Sequence, residues 1–129
     1  MYNPLFWIEW LDRLNRVLTS ARQDVAVLKR AVSPRSLEAI KRSKRQLSAL
    51  MNDLRLLDRD VLATGTAQNG ADELQRVLDR TVAQLGILAA IPVATAPGTL
   101  DRLLAASDSA LRDSCYEAVM LLEPSRRRA

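Results

Sequence analysis

The chain has 129 residues, 48% apolar and 26% charged, with a formal net charge of +4. That balance suits one folded domain and argues against disorder. With a single cysteine, Cys115, and no histidine, it excludes an intrachain disulfide and removes the usual general base and the commonest transition-metal ligand.

Leu and Ala dominate and only 4% of residues are aromatic, a mix that favours helix–helix packing over strands. The first apolar stretch has no basic residues before it and is broken by Glu9, so no secretory leader is expected. The longest apolar run, roughly 85–96, contains Pro92 and falls short of the about 20 residues a membrane-spanning helix needs. The expected location is cytoplasmic. Arg far outnumbers Lys, a composition expected of a GC-rich bacterial or phage genome.

Helix 1 is predicted over 4–32. Asn3 is placed to cap it and Pro4 suits its first position. Trp7, Leu11, Leu14, Leu18, Ala21, Val25, Leu28 and Val32 follow in steps of four and three, a heptad seam that Trp10 and Val17 widen.

Ser33-Pro34 ends this helix and opens the next, predicted over 34–63, because the residue before a proline is pushed out of the helical region. A tight helical hairpin is expected here rather than one kinked helix. The stripe resumes as Leu37, Ile40, Leu47, Met51, Leu54 and Val61, flanked by Leu50 and Leu57, with Lys44 in the slot between Ile40 and Leu47.

The stretch 63–70, ATGTAQNG, reads as a loop. Helix 3 is predicted over 71–90 on Leu74, Leu78, Thr81, Leu85 and Leu88, with Pro92 beyond its end. After an unusually apolar connection, Thr99 is expected to cap helix 4 over 99–122. Its stripe is Leu100, Leu104, Leu111, Cys115, Ala118 and Leu122, and Pro124 is expected to close it before a basic tail at 125–129.

The expected fold is therefore all-α. Two antiparallel helical hairpins form an up-down four-helix bundle over residues 1–124, the first hairpin longer than the second. Residues 4–62 hold 12 basic and 7 acidic side chains; residues 71–122 hold 4 and 7. A basic hairpin thus faces an acidic one, although solvated ion pairs of this kind each contribute little.

The chemistry points away from an enzyme. Without histidine, neither a phosphotransfer bundle nor a Glu-x-x-His di-iron site can be built. No serine-nucleophile motif or phosphate-cradling glycine loop occurs. Asp58 and Asp60 are followed by Val61 and Leu62, so they do not open a calcium loop. Cys115 lies on the helix 4 stripe and is expected to be an inert core thiol. No cofactor, metal or small-molecule substrate is expected.

Two surfaces are candidates for function. At the N-terminus, Tyr2, Leu5, Phe6, Ile8 and Trp10 surround the stripe residues Trp7 and Leu11. A helix apolar nearly all round is covered on more than one side, by a partner chain or by burial under helix 4 and the 63–70 segment. Large aromatics anchor interfaces well, so a protein partner or a homo-oligomer is the expected use. A membrane surface is a further alternative, because Trp and Tyr favour headgroups and Arg126, Arg127 and Arg128 lie at the same end of the bundle.

Around the Ser33 turn, Lys29, Arg30, Arg35, Lys41, Arg42, Lys44 and Arg45 stand against Glu38 alone. Phosphates are the natural partner for such a cluster. With no aromatic in the segment to stack on bases, nucleic acid would be bound without sequence preference. The chain thus reads as a non-catalytic helical-bundle interaction protein (an adaptor, accessory subunit or assembly factor), with nucleic-acid association and membrane-surface binding as alternatives.

Overall fold

The structure is a computed structural model. It describes the backbone of residues 4–61 and 65–128, and the side-chain surroundings of 7–55 and 71–123. Four helices follow one another: α1 (Pro4–Arg30), α2 (Pro34–Val61), α3 (Gly65–Ala89) and α4 (Pro97–Arg128). No strand occurs among the described residues.

The Ser33 turn forms as a reciprocal cap. The Ser36 amide donates to Ser33 Oγ at 3.1 Å, and the Ser33 amide donates to Ser36 Oγ at 2.9 Å. The geometry is that of a capping box, with serine in place of the usual Glu or Gln at the third helical position. Ser36 Oγ also lies 3.1 Å from the Ala31 carbonyl, tying the end of α1 to the start of α2. The chain therefore reverses here as a hairpin.

Two expected boundaries move. Helix α3 begins at Gly65, not 71. An interior glycine such as Gly70 costs only about 1 kcal/mol relative to alanine, and burial of Ala71, Leu74, Leu78 and Leu85 behind it outweighs that. Helix α4 begins at Pro97, which takes the first helical position, and the Leu100 amide already donates to the Ala96 carbonyl at 3.0 Å. Thr99 is thus inside the first turn and is not the cap.

At its other end α4 continues through Pro124 to Arg128, so the expected stop and most of the expected tail are helical. A proline near the end of a helix forfeits one backbone hydrogen bond, and the helix here continues regardless. The four helices span 27, 28, 25 and 32 residues, so the second hairpin is not the shorter one.

Each helix touches its two neighbours in a closed ring: α1 with α2 and α4, α3 with α2 and α4. Paired contacts run antiparallel, as short connections require. Trp10 meets Leu50 and Asp24 meets Ser43 across α1–α2. Lys44 meets Gly86 and Arg55 meets Asp79 across α2–α3. One core runs the length of the bundle, from Trp7, Trp10 and Leu122 at one end to Leu28, Leu37 and Leu88 at the other. Ile91 of the 90–96 connection packs on that core, which accounts for part of its apolar character.

Polar groups key each hairpin internally. Between α1 and α2, Ser43 Oγ donates to Asp24 at 2.7 Å. Between α3 and α4, buried Thr81 and Ser114 share a 2.7 Å hydrogen bond, and Thr81 Oγ1 also lies 3.0 Å from the Ala110 carbonyl. Such buried groups are tolerated because they are paired. Charged contacts lie on the surface: Arg80 pairs with Asp113 between α3 and α4, and Arg55 with Asp79 between α2 and α3.

Candidate interaction surfaces

The described part of the N-terminal aromatic face is turned inward. Trp10 is fully buried and stacks on Trp7 with ring centroids 5.3 Å apart and planes 4° apart. Its indole N–H donates to the Leu50 carbonyl at 3.1 Å. Trp10 is therefore core, a correction to its expected place on an outward surface.

The reason is topological. Helix α1 has two packing neighbours, so its buried arc is wide enough to take Trp7 against the core and Trp10 against α2. Ile8 is half-buried and packs on the same core. Tyr2, Leu5 and Phe6 lie outside the residues whose side chains are described.

An outward apolar patch lies elsewhere at the same end. Tyr116, Val119 and Met120 of α4 are 63%, 43% and 53% exposed. Their i, i+3, i+4 spacing puts them on one face, away from the buried Leu111, Ala118 and Leu122. Because α4 runs antiparallel to α1, this stretch lies towards the end where α1 begins. The signal was present in the sequence as a second apolar stripe on helix 4, beside the one assigned to the core.

The basic residues form a belt around the Ser33 turn. Lys29 and Arg30 occupy the last turn of α1, where cations complement the negative end of the helix dipole. Arg35 lies in the first turn of α2, where the dipole opposes a cation. Lys41, Arg42 and Arg45 are exposed, and Arg45 pairs with Glu38 at 3.5 Å.

Lys44 departs from its expected place on the stripe. The inward slot belongs to Ser43, which is buried. Lys44 leans instead across α3, its Nζ 3.2 Å and its Cε 3.3 Å from where a β-carbon on Gly86 would sit.

Cys115 is half-buried rather than fully enclosed. Burial pushes its thiol above the ordinary value of 9.0, against the smaller opposing pull of the Arg22 guanidinium. Among the described residues no cluster of Cys, Asp and Glu is placed to hold a metal ion, and no helix is long and apolar enough to cross a membrane. Comparison of the chain with protein-family models, with curated proteins and with solved structures finds no match.

Proposed function

We propose that the protein is a non-catalytic helical-bundle interaction protein, an adaptor, accessory subunit or assembly factor that self-associates or docks on a larger protein. The exposed Tyr116–Val119–Met120 face of α4 carries this reading. Contiguous apolar side chains left in water mark contact sites more often than chance placement does. Full burial of one large apolar side chain stabilises by roughly 1.5–3 kcal/mol, and these three are already about half covered. Association costs about 4 kcal/mol or more in lost freedom, so the contact must extend beyond them. Leu5 and Phe6, near the start of α1, lie at the same end of the bundle.

The test is light scattering and partner capture with Tyr116→Asp/Met120→Asp, alongside circular dichroism. Loss of association with helix content unchanged supports the reading. A wild-type chain that stays monomeric and captures nothing, or a double variant that associates as before, refutes it.

A second reading rests on the basic belt. Arg35 stands where the helix dipole opposes it, so fold stability does not account for its charge. A phosphate backbone crossing the Ser33 turn would be held without sequence preference. Its affinity would fall steeply with salt, and the slope would shrink by roughly one unit per phosphate contact removed. Neutralising Lys41, Arg42 and Arg45 together tests it; an unchanged salt slope rules the belt out.

A further inference from the structure

The contact between Lys44 and Gly86 borders an open groove of about 570 Å³ along the α2–α3 seam. Its walls are short: Ala49 of α2, Gly86 and Ala89 of α3, and Ala90 just beyond that helix. Gly86 sets its depth, because a β-carbon there would press on the Lys44 stem at 3.2–3.3 Å. Lys41, Lys44 and Arg45 lie beside the Gly86–Ala90 wall and Asn52 at the other end, and no acidic side chain lines it. Eleven helical steps separate Lys41 from Asn52, roughly 16 Å at 1.5 Å per residue.

We propose that this groove binds a free, single-chain aliphatic carboxylate, its head between Lys41, Lys44 and Arg45 and its chain along the α2–α3 seam past Gly86 and Ala49 towards Asn52. Three arguments select that chemistry. The volume lies in the range of small-molecule sites, about 300–1,000 Å³. The charge is one-sided: Glu38 engages Arg45, but neither Lys41 nor Lys44 has an ion-pair partner among the described residues. Proximity to the C-terminal end of α3 offers Lys41 and Lys44 only a partial negative charge. Finally, no aromatic lines the groove, so it offers no platform for a nucleobase or other ring. A floor of methyl groups and backbone suits an alkyl chain by van der Waals contact. The proposal is independent of the interaction reading, which uses α4, an element that does not line this groove.

The experiment titrates the full chain with decanoate below its micelle concentration, followed by calorimetry and amide chemical shifts. Acetate supplies the head alone, and decyltrimethylammonium supplies the chain with the opposite charge. Saturable shifts confined to the Lys41–Asn52 and Gly86–Ala90 segments are expected.

Acetate should bind at least about tenfold more weakly, since each buried methylene contributes about 0.8 kcal/mol. Lys44→Gln and Lys41→Gln should each weaken decanoate roughly fivefold, the effect of one charge at about 4 Å in a wet site. Gly86→Leu should abolish binding. Should that variant fail to fold, Ala49→Leu blocks the groove from an exposed position. The proposal is overturned by any one of three results: equal affinity for decyltrimethylammonium, unaltered decanoate binding in Ala49→Leu, or no saturable shift.

Discussion

The indole N–H of Trp10 reaches across the α1–α2 seam to the backbone carbonyl of Leu50, at 3.1 Å, from a side chain with no exposed surface. One residue thus supplies a large apolar volume and a hydrogen bond that fixes the angular setting of α1 against α2. Trp10→Ala should cost roughly 3–5 kcal/mol, the range for emptying a buried aromatic site. Trp10→Phe, which keeps most of the ring but loses the donor, should cost clearly less. Urea unfolding followed by circular dichroism measures both. A Trp10→Ala chain as stable as the parent would return Trp10 to the surface.

Thr81 and Ser114 act as a pair. Each also lies within hydrogen-bond reach of the Val77 carbonyl, at 2.9 and 3.2 Å. Thr81→Val and Ser114→Ala should each destabilise by about 1–3 kcal/mol, because each strands part of a buried polar network. Removing both should cost less than the two single effects together. Strict additivity in the denaturation cycle would mean that the two hydroxyls do not depend on each other.

Ser107 makes the opposite prediction. Its Oγ is buried without a hydrogen-bond partner among the described residues, so its lost hydration is not offset. Ser107→Ala should leave stability unchanged or raise it by up to about 1 kcal/mol. A measured loss greater than that would reveal a partner for the hydroxyl.

Cys115 should be a sluggish nucleophile. Desolvation raises its thiol in the folded chain, so less thiolate is present at a given pH than on an exposed cysteine. Alkylation by iodoacetamide at pH 8 should therefore be slower in the folded chain than after unfolding. The linkage has a definite sign. Above 9.0 the unfolded chain releases this proton first, so stability is lost as pH rises from that value towards the raised folded one. Cys115→Ala should flatten that alkaline decline; an identical decline in the variant would assign it to other groups.

The helices were legible because helical periodicity is a property of neighbouring positions. Every residue assigned to the helix 1 seam from Trp7 to Leu28 is buried, as are Leu74, Leu78, Thr81, Leu85 and Leu88 in α3. What escaped was decided between helices. Whether Ser43 or Lys44 turns inward depends on Gly86, more than forty positions away, offering room for a lysine stem. Trp10 looked surplus to one stripe because the second neighbour of α1 was not yet placed. Helix ends escaped for a related reason: Gly70 and Pro124 carry local signals to stop, and the chain continues through both.

The buried polar keys among the described residues have one further consequence. They lie within hairpins: Trp10 with Leu50 and Ser43 with Asp24 in the first, Thr81 with Ser114 in the second. From one hairpin to the other, Arg55 with Asp79 and Arg22 with Cys115 involve exposed arginines, and half-buried Lys44 rests on Gly86. Each hairpin therefore has its own buried polar pairing, and apolar fit forms much of the plane between them, which tolerates substitution by an equivalent surface. Two chains could exchange whole hairpins across that plane and recover the same contacts, so a domain-swapped dimer is the assembly error to which this bundle is most open.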